Sequence, residues 1–216
     1  MKSVVVLLSG GLDSTVTLYK ALRKSQVVHA VSIDYGQTNL DAEHDAKARV
    51  FEVLRSQSHK GKLATPRSAI ILTHAWGQGY PYVSGGGVLF NTDTGETNAY
   101  VPQRNAIFAL IGAGYAESIG AQEVWMGLCG GPEGEVDTSP VMVERLNGLL
   151  RVSSETRVKV VAPFVGKPKS EVLAYGIRVG APVLATHSCF FGAVCGKCSA
   201  CEGRRTAFEE LGLEAP

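Results

Sequence analysis

Ser9-Gly10-Gly11-Leu12-Asp13-Ser14-Thr15 follows an apolar run, Val4-Val5-Val6-Leu7-Leu8, and precedes a helical pattern. Strand, glycine turn and helix start, in that order, build a cradle for an anion. Two glycines let the backbone turn tightly and approach a ligand closely. The helix that follows offers free N–H groups and a partial positive charge. Asp13 and Ser14 are good helix-cap residues, and Ser9, Ser14 and Thr15 add hydroxyl donors. The glycine spacing is not that of a Walker loop, and no Gly-Lys-Ser/Thr follows. The plain alternative is an ordinary strand-to-helix turn of small residues.

On either side of this loop the chain alternates. Residues 4–8, 27–33, 69–72, 124–126 and 158–162 are short and apolar and read as strands. Residues 13–23, 41–54, 104–118, 140–150, 169–179 and 204–211 read as helices. That order calls for an α/β fold, a doubly wound parallel sheet with helices on both faces. Its ligand belongs in the crevice beyond the carboxyl ends of the strands. Residues 74–100 lack periodicity and are dense in Gly, Asn, Thr and Pro. A loop of that length reads as a flap over the substrate, or equally as a surface insertion.

The 216 residues suffice for one domain with a full core. Residues 1–185 read as the α/β core, and residues 186–216 as a cysteine knot with a terminal helix. Hydrophobic residues make up 45% and charged residues 19%, which excludes a disordered chain. Net charge is +1 and no lysine–arginine tract stands out, so nothing calls for a nucleic-acid partner. No window carries the ~20 apolar residues of a membrane helix. The expected location is the cytoplasm.

Four of the five cysteines, Cys189, Cys195, Cys198 and Cys201, crowd near the C-terminus. Cys195, Cys198 and Cys201 are separated by two-residue gaps, which let neighbouring sulfurs reach one tetrahedral ion. Four thiolates with no histidine and no open position indicate structural zinc. Reduced unliganded cysteines or an iron–sulfur cluster are the alternatives. Cys129, alone in a glycine loop, reads as inert, with nothing in its sequence neighbourhood resembling a base.

The run Ser-Gly-Gly-x-Asp-Ser resembles the pyrophosphate loop of the ATP pyrophosphatases, which cleave ATP between its α and β phosphates. Joined to a four-cysteine knot, it resembles the QueC family of 7-cyano-7-deazaguanine synthases nearly end to end. Tyr35-Gly36-Gln37, Tyr100-Val101-Pro102-Gln103-Arg104-Asn105, Lys169-Ser170-Glu171 and Thr186-His187-Ser188-Cys189 are similar to segments of that family. The resemblance implies conversion of 7-carboxy-7-deazaguanine and ammonia to the nitrile, with ATP, Mg²⁺ and Zn²⁺. It implies nucleotide binding by Leu8, Ser9, Gly10, Gly11, Leu12, Asp13, Ser14 and Thr15. It places Asp13, Ser14, Arg104 and Lys169 in catalysis, with Lys167 as added charge near the phosphates. Tyr35, Gln37, Arg104, Asn105 and Asp137 are its substrate residues, and the four cysteines its zinc ligands. A homodimer is expected, with a small deazapurine and an amine donor as partners.

The sequence departs from that family in places. A Tyr-Pro-Asp-Cys-Arg segment that holds the deazaguanine there corresponds here to Val136-Asp137-Thr138-Ser139-Pro140. Asp137 keeps a carboxylate, but the arginine is gone. Gln103 replaces a glycine, Glu202 stands where histidine is common, and the gap between Cys189 and Cys195 is short. These changes leave open a relative that stops at an amide, with another amine or a protein as acceptor. A tRNA-thiolating pyrophosphatase and a nucleotide-sensing module without turnover remain as further readings.

Overall fold

The computed structural model describes residues 2–57, 62–64, 70–72, 99–130 and 136–214. The expected flap falls outside them except for residues 99 and 100, as do Ala69 and residues 131–135. Six strands and six helices follow in chain order among the described residues: β1 (Ser3–Leu7), α1 (Leu12–Lys24), β2 (Val27–Val31), β3 (Ile33–Asp34), α2 (Leu40–Ser56), β4 (Ile70–Ile71), α3 (Arg104–Ser118), β5 (Glu123–Trp125), α4 (Pro140–Ser153), β6 (Lys159–Val161), α5 (Lys169–Arg178) and α6 (Ser199–Glu209). Short 3-10 turns occupy Val136–Thr138 and Val183–Ala185.

All ladders are parallel. One sheet runs β2-β1-β5-β6, and β3 pairs with β4. The expected single strand over 27–33 is broken at Ser32. There the chain leaves its ladder with β1 and takes up β4: Leu8 N donates to Val31 O at 2.8 Å, whereas Ile70 N donates to Ser32 O at 2.9 Å. The Ser32 hydroxyl donates to Leu8 O at 3.1 Å and holds the crossing point.

Val4, Val5 and Val6 are wholly buried because β1 is central and covered on both faces. Val4 and Val6 face a core with Val16, Leu18 and Leu22 of α1, Val50 of α2 and Leu173 of α5. Val5 faces the other core, with Ala109, Ala113 and Ala116 of α3 and Leu146 and Leu150 of α4. Each such side chain contributes about 1.5–3 kcal/mol of burial. A Cβ at Gly112 of α3 would lie 2.9 Å from Val124 Cγ1, so this small-residue face seats the helix tightly on the sheet. The last helix starts at Ser199, five residues before the expected 204, and so carries Cys201. It adds Ala207 and Phe208 to the core around α1 and α5.

Candidate active site

Beyond the carboxyl end of β1 the chain turns through Ser9, Gly10 and Gly11 into α1. Gly10 has φ +87°, and a Cβ there would lie 2.8 Å from the Glu43 carbonyl oxygen. Only glycine meets both conditions. The expectation that Asp13 and Ser14 cap the helix is corrected: Gly11 is the N-cap, and no side chain caps it. Asp13 and Ser14 lie inside the first turn. The Ser14 hydroxyl instead ties the loop to itself. It donates to Gly11 O at 3.1 Å and accepts from Ser9 N at 3.3 Å, with Ser9 Oγ at 3.1 Å. An uncapped helix start leaves its N–H groups to an anion.

Leu8, Ser9, Gly11, Leu12, Asp13 and Ser14 line a cavity of about 680 Å³. Gly10 and Thr15 are not in its wall, and Thr15 is fully buried. Opposite the loop stands Gly127, just after β5. A Cβ on it would fall 2.5 Å from Ser14 N, so its backbone abuts the start of α1.

Lys169, at the start of α5, brings Nζ to 3.4 Å from Asp13 Oδ2. The Asp13 charge beside it outweighs burial and raises the Lys169 pKa. Asp13 Oδ1 is buried without a hydrogen-bond partner among the described residues. An unpartnered carboxylate oxygen beside an anion cradle suits a hard cation. Cys129 lines the same wall, and the structure corrects its expected isolation by setting Asp13 and Lys169 next to it. Burial, then the Asp13 charge, pushes its thiol up to about 12, so it stays a neutral thiol. Lys167 is half exposed and pairs with Glu171 at 2.6 Å, outside the cavity wall.

The far end of the cavity is aromatic. Tyr35 and Phe108 meet edge to face at 5.1 Å, and Phe190 and Phe191 pack against the same cluster. Arg104 Nη1 donates to the Tyr35 hydroxyl at 3.4 Å. Tyr35, Arg104, Asn105 and Phe190 line the cavity. Gln37 and Asp137 do not. Gln37 is buried; its Oε1 accepts from Tyr35 N at 2.9 Å and its Nε2 donates to Glu43 Oε2 at 3.0 Å. Asp137 accepts from Asn105 Nδ2 at 3.0 Å and orients that amide.

The four cysteine sulfurs lie within 4.8 Å of one another. Cys189 and Cys198 sulfurs are 3.9 Å apart, and those of Cys195 and Cys201 4.0 Å. A tetrahedron with ~2.3 Å metal–sulfur arms has edges of roughly 3.8 Å. The donor set therefore fits one tetrahedral ion. The knot is fastened to the cavity from several sides. His187 N donates to Gly10 O at 3.1 Å, Asn39 Nδ2 to Cys189 O at 2.9 Å, and Thr38 Oγ1 to Phe190 O at 2.7 Å. Buried Arg204 donates to Thr186 Oγ1 at 2.8 Å and to Val183 O at 3.0 Å, clamping the chain that enters the knot.

Sequence reading missed Glu43, Phe190 and Gly127. A four-residue spacing of Asn39, Glu43 and Lys47 at the start of α2 is the signal that marks Glu43, since it puts polar groups on the face that also carries Val50 and Leu54.

A solved 4-thiouridine synthetase–RNA complex with bound ATP shares the fold. Its TM-score is 0.50 at 16% identity, over 98% of this chain and 50% of that one. A 7-cyano-7-deazaguanine synthase of Nitrosomonas europaea is 33% identical over 229 residues, spanning 100% of this chain and 96% of the relative. Another, of Alteromonas mediterranea, is 31% identical over 226 residues, with 100% and 97% covered. The profile described as "Queuosine biosynthesis protein QueC" matches residues 3–212. Loop, aromatic recess and cysteine knot thus occur in a chain matched almost throughout, and this protein belongs to the QueC family.

Proposed function

We propose that this chain is an ATP-dependent, AMP-forming ligase that converts 7-carboxy-7-deazaguanine and ammonia to 7-cyano-7-deazaguanine. The observation that carries this reading is one cavity with an uncapped glycine loop at one end and an aromatic recess with Arg104 at the other. The names of the relatives support the product of this reading.

A carboxylate is a poor electrophile because its leaving group would be oxide. Attack of a carboxylate oxygen on the α-phosphorus of ATP breaks the bond to the β-phosphate and releases pyrophosphate. The resulting acyl adenylate has AMP as its leaving group, and ammonia displaces it to give the amide. The amide oxygen is then adenylated in turn, and loss of N–H protons and AMP leaves the nitrile.

This chain's residues act by position and charge. Backbone N–H groups of the first turn of α1 hold the phosphates, and Lys169 adds positive charge there. Arg104 forks onto the substrate carboxylate. The aromatic recess around Tyr35, Phe108 and Phe190 gives the deazapurine an apolar wall to pack on, and Gln37 and Asp137 act indirectly, by orienting Tyr35 and Asn105. Asp13 is the residue that would hold Mg²⁺, which would supply charge neutralisation at the phosphates. The four cysteines would hold Zn²⁺ as a closed structural site.

A second reading, joining the same carboxylate to another amine as an amide, draws on the altered 136–140 segment. Its Asp137 is engaged by Asn105 rather than lining the cavity. Mass spectrometry of products from ATP, the carboxylate and ammonium separates them. Nitrile with AMP and pyrophosphate is the expected result. Amide alone, or AMP only with another amine, supports the second reading, and ADP as the nucleotide product overturns both.

A further inference from the structure

Two carboxylates line the cavity among the described residues, Asp13 and Glu43. Asp13 is paired with Lys169. Glu43 accepts one neutral hydrogen bond, from Gln37 Nε2, and among the described residues no cation lies within ion-pair distance of it. Lys47, one turn further along α2, is drawn to Asp34 at 3.9 Å instead. An unpaired carboxylate out of bulk water is costly, and its persistence in a cavity wall marks a group with work to do.

Its position says which work. The Glu43 carbonyl packs against Gly10, which sets the residue beside the phosphate loop. Its carboxylate is joined through Gln37 to the backbone of Tyr35, at the edge of the aromatic recess. Glu43 therefore stands where the two ends of the cavity meet, which is where an acyl–phosphate bond forms.

We propose that Glu43 binds the ammonium ion at this junction and takes the proton that frees its nitrogen to attack the acyl adenylate. This rests on the adenylating-ligase reading above. Near neutral pH, ammonia is almost wholly ammonium, which has no lone pair. One N–H proton passes to the Glu43 carboxylate, and the freed pair forms the C–N bond. The carbon–oxygen bond to the phosphate breaks, its electrons leaving with AMP, and the nitrogen sheds a second proton to solvent. Glu43 then returns its own proton to solvent.

The surroundings suit a base that works near neutrality. Burial raises the Glu43 pKa to about 7, opposed in part by the Gln37 hydrogen bond and by the charges of Lys47 and Arg104, while Asp34 adds to the rise. A carboxyl at its ordinary value, about 4.3, is a much weaker proton acceptor. Lys47 faces it from α2, Arg104 from α3 and Asp34 from β3. Asp13 and Lys169 belong to the same cavity, as does His187, whose Nε2 meets Phe191 O at 2.8 Å. His44 is engaged by Asp34 at 3.0 Å.

The test compares nucleophiles in the full-length parent and in Glu43→Gln, which keeps an acceptor for Gln37. Hydroxylamine is largely uncharged at neutral pH and needs no base to release its nitrogen. In the variant, kcat with ammonium falls on the order of 10²-fold and kcat with hydroxylamine less than about threefold. The ammonium deficit shrinks as pH rises and free ammonia accumulates. Equal loss with both nucleophiles, undiminished ammonium turnover, or a loss confined to KM for the carboxylate overturns the proposal; the last would make Glu43 a reader of the deazapurine edge. Carboxylate-dependent exchange of labelled pyrophosphate into ATP, measured in the parent without any amine, tests the underlying reading separately. No exchange there removes both ideas, whereas exchange without the nucleophile pattern removes this one alone.

Discussion

Asp13 is the most connected side chain described at the glycine-loop end of the cavity. It pairs with Lys169, raises the pKa of Cys129 and keeps one buried oxygen unpartnered. Its ion pair is largely buried, with each side chain no more than about a quarter exposed, so removing it costs stability of about 1 kcal/mol, the upper end for exposed pairs. The electrostatic loss in the reaction is larger. Asp13→Ala should slow pyrophosphate release on the order of 10²-fold or more while the melting temperature stays within a few degrees of the parent. A variant of undiminished activity removes Asp13 from the cradle. Gln103 shows the opposite bargain. It sits at φ +57°, a left-handed conformation that glycine adopts freely, immediately before α3. Holding a larger residue there costs of order 1–3 kcal/mol.

Among the elements, α2 is rich in charged residues, yet only part of it is a solvated face. Ala46, Lys47, Val50 and Leu54 are buried, and Glu43 turns to the cavity. Charge composition alone cannot separate a solvated face from one that lines a polar crevice, because both avoid apolar packing. The junction between β5 and α1 was likewise invisible, since the close approach of Gly127 to Ser14 joins residues far apart in sequence. Gly127→Ala forces that backbone contact open and should cost about 1–3 kcal/mol, seen as a lower urea midpoint with unchanged slope. An unaltered midpoint contradicts the packing described.

Across the full chain, the cysteine knot is a fastening and not an appendage. Its entry segment is bonded to Gly10, Thr38 and Asn39, and its helix α6 completes the core over α1 and α5. A metal held there would be coupled to the shape of the cavity, because Phe190 follows Cys189 into its wall. Purified protein should carry zinc at about one equivalent per chain. Cys198→Ala should lose it and lower the melting temperature by at least about 5 °C, since thiolate–metal bonds contribute folding energy. A variant that melts like the parent makes the knot dispensable.

The alternation of apolar runs and helical patterns, the glycine loop and the four cysteines are all legible in the sequence. Each is a local property: periodicity, backbone freedom and ligand spacing act over a few residues. The break at Ser32, the uncapped start of α1, the pairing of Asp13 with Lys169, the withdrawal of Gln37 and Asp137 from the cavity and the exposure of Glu43 to it are not. Those depend on which distant segments the parallel crossovers bring to the same edge of the sheet, and side chains spend their hydrogen bonds on neighbours that only the folded chain supplies.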